Sequence, residues 1–300
     1  MLTLSSSDPA PPRRSPAPSV TVWAGGHVEV LADATPTERV EMMDQRQGTP
    51  AAGDAGAASP QALSRRIFLA GLSATVLATP LIAVTPEKAQ ARTPFRGVDV
   101  RPRADWARGL APTGTLQQER PGDTRFLLVH HTASANDYDP GDVPGLLRGF
   151  YRFHTGPDRK WPDVAYNFFV DRYGTVWEGR TGSLTGPVMA DATGGSQGFA
   201  QLCCFIGNHQ VEAPTPEAQS SMTALLAALA DTYAIETAPG STTTFVSRGS
   251  NRWPVGTTVT TTTIAGHRDM SLTTCPGDTA YELVREVFPA AVTALRPTPV

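Results

Sequence analysis

The chain has 300 residues, of which 40% are hydrophobic and 18% are charged, with a formal net charge of −3 and an isoelectric point of about 6.1. A chain of this length holds one large domain or two ordinary ones. The balance of charge excludes a global basic field, so we expect no nucleic-acid partner, and three cysteines are too few for a disulfide framework.

The N-terminal stretch is rich in Ala, Pro, Ser, Thr and charged residues and has no sustained apolar period. Such a composition cannot bury enough apolar surface to fold, which predicts a disordered extension over residues 1–63. The start of translation stays open between Met1, Met42 and Met43.

Residues 64–91 have the pattern of an export signal. Arg65 and Arg66 precede a mildly apolar run, which ends at the small-x-small site Ala89-Gln90-Ala91. This pattern is typical of a twin-arginine signal peptide, and Pro80 and the shortness of the run argue against a membrane span. We therefore expect a protein of the cell wall or the medium, without stable membrane association after cleavage, whose domain spans residues 92–300.

Predicted strands and helices alternate along this domain. Strands are predicted at Phe126–Val129, Ala165–Asp171, Thr175–Glu178, Leu202–Ile206 and Val259–Ile264, the second and third joined as a hairpin by Arg172-Tyr173-Gly174. Helices are predicted from Asp142 to Thr155, from Thr215 to Tyr233 and from Asp278 through Phe288. Pro239–Thr257 is predicted to be a loop. The order predicts an α/β fold with a central mixed β-sheet flanked by helices.

The three cysteines fall into two kinds. Cys203 and Cys204 are neighbours in a predicted strand, where side chains alternate between faces, so a bridge between them would be strained. Both are expected to be buried apolar thiols. Cys275 lies in a polar loop, and it is the thiol we expect to be functional.

Histidines in two separate segments complete a zinc-type set with Cys275. The apolar strand at Phe126–Val129 ends on His130 and His131, and His267 lies close to Cys275 in sequence. Because side chains alternate along a strand, only one of His130 and His131 can share a metal with His267. Two imidazoles and one thiolate leave a fourth position open, which is typical of a catalytic Zn²⁺ site and points to hydrolysis.

Five segments resemble one known family in the family's order. They are Arg103-Ala104-Asp105-Trp106, FLLVHHTA from Phe126, WPDVAYNFFVDRYGTVWEGR from Trp161, FIGN from Phe205 and AGHRDMSLTTCPGD from Ala265. Together they resemble the zinc-dependent N-acetylmuramoyl-L-alanine amidases, a family that includes phage amidases and peptidoglycan recognition proteins. The resemblance spans roughly residues 101–288 and implies a single amidase-type domain that cleaves the lactyl–L-alanine amide bond of peptidoglycan.

The resemblance also implies roles for individual residues. His130, rather than His131, joins His267 and Cys275 as a metal ligand. Tyr166 stands beside the metal, where a phenol can donate to a developing oxyanion or hold the attacking water. Thr273 occupies a position at which phage relatives have a lysine, and it is expected to assist catalysis.

Other positions are predicted without a catalytic role or stay open. His131 is expected to pack behind the site, and His154 is expected either to line the groove or to lie on the surface. Relatives commonly carry a histidine where this chain reads Val188-Met189-Ala190-Asp191-Ala192, so that histidine is missing or is replaced by Asp191.

Two other functions are weighed against the zinc amidase. The first is a non-catalytic peptidoglycan-binding module, but the binding relatives usually lose the cysteine that this chain keeps as Cys275. The second is a serine hydrolase, because Gly194–Gly198 matches the pattern G-x-S-x-G around Ser196. No apolar strand precedes that segment and no helix follows it, so we interpret the match as chance. We expect a monomer whose partner is peptidoglycan.

Overall fold

The computed structural model describes residues 95–296, so the expectations for residues 1–63 and 64–91 lie outside the described residues. Its strands are β1 (Val100–Arg101), β2 (Phe126–His131), β3 (Phe168–Val170), β4 (Val176–Glu178), β5 (Ala200–Phe205), β6 (Thr242–Val246), β7 (Thr258–Thr262) and β8 (Ile264–Gly266). Six of them form one sheet in the order β1-β4-β3-β5-β2-β8, in which β3 and β4 are antiparallel and the other pairs are parallel. The predicted mixed sheet is confirmed.

Three helices lie in connections between strands, and the last three follow β8. They are α1 (Ala104–Ala107), α2 (Val143–Thr155), α3 (Pro216–Tyr233), α4 (His267–Met270), α5 (Asp278–Glu282) and α6 (Phe288–Leu295), with a 3₁₀ turn at Pro121–Asp123 and a π-helical stretch at Leu283–Val287. α3 starts as its sequence predicts, because Pro216 opens the first turn and the Thr215 hydroxyl accepts a hydrogen bond from the Ala218 amide. Among residues 95–296, no helix is both long and apolar enough to cross a membrane.

The central strands are buried on both faces, as their continuous apolar sequences predict. Every residue of β2 and β5 is buried, and the two strands pair in parallel with Leu128 opposite Leu202. Alternate residues of β2 enter two different cores: Leu128 packs with α2, whereas Val129 packs with α3 and α6. Helices therefore cover both faces of the sheet.

The adjacent thiols of β5 follow the same alternation. Cys204 lies in the core beneath α2 and Cys203 in the core beneath α3; both are fully buried, and neither forms a disulfide. Burial raises the pKa of the Cys203 thiol far above its ordinary value. The prediction that both are buried, unbridged thiols is confirmed.

The last predicted helix, from Asp278 through Phe288, is divided by the π-helical stretch and continues to Leu295. Three further differences concern the strands. The predicted loop Pro239–Thr257 contains β6, which pairs with β7 in a separate two-stranded sheet. The predicted strand Val259–Ile264 divides at Thr263 into β7 and β8, which belong to different sheets. Most side chains of β6 and β7 are polar and at least partly exposed, and Phe245 anchors β6 by stacking on Phe126 at 5.5 Å. That contact is not visible in the local sequence.

The third difference concerns the start of the β3–β4 hairpin. Strand pairing begins at Phe168, so Ala165–Asn167, predicted as strand, runs as irregular chain before β3. Asn167 explains the change: its side-chain amide donates to Val188 and its side-chain oxygen accepts from the Leu202 amide. On the β5 side the Asn167 side chain therefore takes the place of a backbone acceptor, whereas the Gly179 and Arg180 amides still donate to the Asn167 and Tyr166 carbonyls.

Candidate metal centre

Two neighbouring parallel strands deliver the two predicted histidine ligands. Val129 of β2 lies in register with Gly266 of β8, and each is followed directly by a histidine. The carboxyl ends of parallel strands lie at the same edge of a sheet, so His130 and His267 meet there. Their ring centroids are 4.4 Å apart, and both residues are buried.

Cys275 returns to this pair through the loop that follows α4. Its Sγ lies 3.5 Å from His130 Nδ1 and accepts a hydrogen bond from the His131 backbone amide at 3.4 Å. One ligand atom from each of His130, His267 and Cys275 lies within 4.8 Å of the other two. The structure thus brings together the three residues that the sequence singled out.

Three of the four imidazole nitrogens of His130 and His267 have no hydrogen-bond partner among the described residues. Within the described part of the chain, His130 Nε2 and both ring nitrogens of His267 are buried without a hydrogen-bond partner. Burial lowers the pKa of His267 to about 4, and burial together with the nearby His267 and His131 lowers the pKa of His130 well below 6.5. Both imidazoles are therefore neutral at neutral pH, which is the form that binds a metal.

The donor set suits zinc. Zn²⁺ takes imidazole nitrogen and thiolate sulfur, and buried nitrogens without a partner are costly unless something binds them. The residues present consequently fit a zinc ion with two nitrogen donors and one sulfur donor.

Hydrogen bonds join the segment that carries His267 to the loop that carries Cys275. The Arg268 backbone amide donates to the Cys275 carbonyl at 2.9 Å, and the Arg268 guanidinium contacts the Thr274 carbonyl and the Asp278 carboxylate. The Thr273 hydroxyl accepts from the Cys275 amide at 3.2 Å. Thr273 therefore shapes the loop beside the thiol, two residues from it.

Tyr166 lies against the His130 ring. Its ring centroid is 4.9 Å from that of His130, 5.5 Å from that of Phe169 and 5.6 Å from that of His154. The residue is 3% exposed, and its carbonyl accepts from the Arg180 amide. The structure thus places the tyrosine next to the cluster, as the resemblance implies.

His131 and His154 are both buried outside the cluster. His131 points to the other face of β2, where its Nδ1 accepts from the His209 amide at 3.1 Å, so the expected packing position is confirmed. His154 is 3% exposed and its Nδ1 accepts from the Ala165 amide at 3.2 Å. The interpretation of His154 as a surface residue is wrong, because the Trp161 and Tyr166 rings cover it.

Asp191 and Ser196 are engaged by other protein groups. The Asp191 carboxylate forms an ion pair with the buried Arg180 guanidinium. Ser196 is fully buried, and its hydroxyl donates to the Thr193 carbonyl at 2.7 Å. A nucleophile needs an exposed oxygen, so the G-x-S-x-G match is a turn and not a nucleophile elbow.

Sequence reasoning missed the residues that fix the His267 segment. Asp269 accepts hydrogen bonds from the Gly266 amide at 2.8 Å and from the Tyr281 hydroxyl at 2.7 Å. An acid three residues after Gly266 is a signal for a helix start that the sequence does offer.

An open cleft of about 530 Å³ adjoins this region, with Arg252, Leu272 and Thr273 among its lining residues.

Fold and site together define a mixed-sheet α/β domain with a buried His₂Cys cluster at the carboxyl ends of two parallel strands. Residues 120–278 match the family described as N-acetylmuramoyl-L-alanine amidase. The match covers more than half of the chain, and the chain belongs to this family, which confirms the resemblance.

Curated relatives are similar over the same domain. The mouse peptidoglycan recognition protein 1 is 27% identical over 188 residues, which cover 61% of this chain and 85% of the mouse protein. The peptidoglycan recognition protein SD of Drosophila simulans is 26% identical over 195 residues, covering 63% of this chain and 86% of that protein.

Solved structures of the family were also found. The Drosophila peptidoglycan recognition protein SD covers 62% of this chain and 92% of its own, with 22% identity and a TM-score of 0.47. An N-acetylmuramoyl-L-alanine amidase of Clostridium intestinale covers 62% of this chain and 93% of its own, with 19% identity and a TM-score of 0.42.

Proposed function

We propose that this protein is a secreted, zinc-dependent N-acetylmuramoyl-L-alanine amidase that hydrolyses the lactyl–L-alanine amide bond of bacterial peptidoglycan. The observation that carries the proposal is the convergence of His130, His267 and Cys275, whose donor atoms lie within 4.8 Å of one another. Membership of the amidase family supports the choice of bond. Retention of Cys275 favours catalysis over binding alone, because two imidazoles without a thiolate leave the donor set incomplete.

His130, His267 and Cys275 would hold the ion. A bound zinc ion supplies Lewis-acid polarisation of the scissile carbonyl and lowers the pKa of water towards about 7. The protein's own contribution is to present two imidazoles that burial keeps neutral, so that no proton has to leave the histidines at neutral pH before the ion binds.

Tyr166 and Thr273 are proposed to assist the reaction. The Tyr166 phenol, held beside His130 by ring packing, is positioned to donate a hydrogen bond to the carbonyl oxygen as negative charge develops on it. A buried donor of this kind is worth more than one in water, because the surrounding dielectric is low. Thr273 keeps the Cys275 loop in shape through its bond to the Cys275 amide.

The experiment is a cell-wall digestion with the full-length, zinc-loaded protein. The proposal expects new free amino groups of L-alanine, their loss after treatment with a chelator, and their return when zinc is restored. Cys275→Ala should abolish both release and bound zinc. Cys203→Ala is the matched control, because it removes a buried thiol of β5 in the core beneath α3, on the other face of the sheet from Cys204, which is in register with His130.

Two outcomes separate the alternatives. Release that persists after chelation and in Cys275→Ala would show that the zinc mechanism is wrong. Binding of muropeptides by the zinc form without any release would favour a recognition module that uses the same groove.

Export and domain limits belong to the same proposal. The pair Arg65-Arg66 and the site Ala89-Gln90-Ala91 support export by the twin-arginine route. Removal of residues 1–91, an N-terminal extension followed by the signal, would then leave a mature monomer of residues 92–300. Replacing both arginines by lysine should keep the protein in the cytoplasm of an exporting host. Unchanged export of that variant would contradict the route.

A further inference from the structure

The segment Ser250–Trp253, which we name the clamp segment, lies against α4, the short helix that begins with His267. It belongs to the connection between β6 and β7, which the sequence predicts as a loop. None of its four residues is a candidate metal ligand. Three of its side chains nevertheless donate hydrogen bonds to backbone carbonyls of consecutive residues of α4.

These bonds satisfy groups that a helix of four residues cannot satisfy itself. The last four carbonyls of any α-helix have no partner within the helix. In α4 the His267 carbonyl accepts from the Ser271 amide at 3.0 Å. The other three carbonyls are those of Arg268, Asp269 and Met270, and they accept at 2.9 Å from Arg252 Nη1, Trp253 Nε1 and Ser250 Oγ, respectively.

A fourth bond continues the contact beyond the helix. The Leu272 amide donates to the Asn251 side-chain oxygen at 2.8 Å, so the clamp segment also holds the start of the loop that leads to Cys275. Together with the bond from the Arg268 amide to the Cys275 carbonyl, this connects the clamp segment to the backbone of both the His267 turn and the loop that carries Cys275.

The clamp segment is anchored to the rest of the domain. Its Trp253 ring packs against the core beneath α2, and the Trp253 carbonyl accepts from the Ser247 hydroxyl at 2.9 Å. Ser250 Oγ accepts in turn from the Trp253 amide. The antiparallel pairing of β6 with β7 holds together the two ends of the connection that contains the clamp segment. Because core packing and hydrogen bonds fix the clamp segment to the rest of the domain, it can restrict movement of α4.

We propose that the clamp segment is a positioning element for the metal ligands, which holds His267 and Cys275 at their mutual distance before an ion binds. The inference rests on the proposed function, since it assumes that this cluster takes a metal. Arg252 and Trp253 act through the ligands and are positioning residues. Outer groups that orient ligands typically change metal affinity by about 10–100-fold when they are removed.

Cobalt(II) is the probe, because its thiolate charge-transfer and ligand-field absorption report the coordination of the bound ion. Full-length apoprotein is titrated with cobalt(II) as wild type and as Trp253→Phe, which keeps a ring in the core but removes the N–H donor. Trp106→Phe is the matched control: its indole N–H also donates to a backbone carbonyl, that of Glu178 at 2.7 Å, away from the cluster.

The expected result separates positioning from general stability. Trp253→Phe should weaken cobalt binding about tenfold and change the ligand-field spectrum. Trp106→Phe should lower the thermal midpoint of the apoprotein while leaving cobalt affinity and spectrum unchanged. If Trp253→Phe fails to fold, Arg252→Met decides by the same criterion, because that side chain is exposed and its loss spares the core.

Failure of this inference can be told apart from failure of the proposed function. A wild-type protein that binds no cobalt overturns both. A wild type that binds cobalt through the thiolate, with variants of the clamp segment that match it in affinity and spectrum, overturns the positioning role and leaves the amidase proposal intact.

Discussion

Replacing Tyr166 by phenylalanine isolates the contribution of one hydroxyl group. The Tyr166 ring is held by the rings of His130, His154 and Phe169, at centroid distances of 4.9, 5.6 and 5.5 Å. Phenylalanine keeps all three contacts, so the fold and the metal site should not change. The loss then falls on the hydrogen bond that the phenol is proposed to donate to the developing oxyanion.

The size of the effect follows from burial and from the nature of the donor. Removing one preorganised oxyanion donor lowers kcat by about 10²–10³, which corresponds to about 2.7–4 kcal/mol of transition-state stabilisation. Tyr166 is 3% exposed, so water cannot readily replace its hydroxyl. We therefore expect kcat for release of L-alanine amino groups to fall by about 10²-fold or more, with bound zinc unchanged.

The assay compares Tyr166→Phe with Tyr151→Phe. Tyr151 is also buried, and its hydroxyl donates to the Ala111 carbonyl at 2.6 Å, away from the metal ligands. Its loss should lower the free energy of unfolding by about 1 kcal/mol and leave kcat unchanged. A Tyr166→Phe enzyme with wild-type kcat, or one that has lost its zinc, would refute the reasoning.

Three further predictions test neighbouring groups. Thr273→Val should slow turnover, whereas Thr273→Ser, which keeps the oxygen that accepts from the Cys275 amide, should restore it; equal rates would contradict the role. Burial lowers the pKa of His154 to about 3, so only the unfolded chain takes up its proton as the pH falls below about 6.5. The unfolding free energy should therefore drop by about 1.4 kcal/mol per pH unit from this residue. When the unfolding free energy from urea denaturation is plotted against pH below about 6.5, His154→Gln should fall less steeply than wild type. An identical pH dependence would argue against the prediction. Ser196→Ala should retain full activity in wall digestion, since that hydroxyl is buried on the Thr193 carbonyl, and inactivation would reopen the serine-hydrolase interpretation.

The sequence predicts those parts of the fold that depend on local pattern. β2 follows from a continuous apolar run, and α3 from the Thr215-Pro216 start with apolar residues at helical spacing. The convergence of His130, His267 and Cys275 was predictable in two steps: the residue types indicated a metal, and the family resemblance selected His130 rather than His131. That His130 and His131 face opposite ways follows from strand geometry alone.

The remainder depends on contacts between distant residues. β6 is threonine-rich and mostly polar, and only its contact with Phe126 of β2 and its pairing with β7 stabilise it as a strand. The end of α2 gives no sign that Trp161 and Tyr166 will cover His154. The clamp segment was missed for a related reason: its side chains bind backbone carbonyls, and a carbonyl has no residue identity that a sequence pattern can reveal.

Zinc X-ray absorption on the full-length protein tests the central claim most directly. The account predicts one zinc ion per chain with two nitrogen scatterers at about 2.0–2.1 Å and one sulfur scatterer at about 2.3 Å, and no bound zinc or no sulfur signal in Cys275→Ala. A wild-type spectrum without sulfur, or one that Cys275→Ala leaves unchanged, would contradict it.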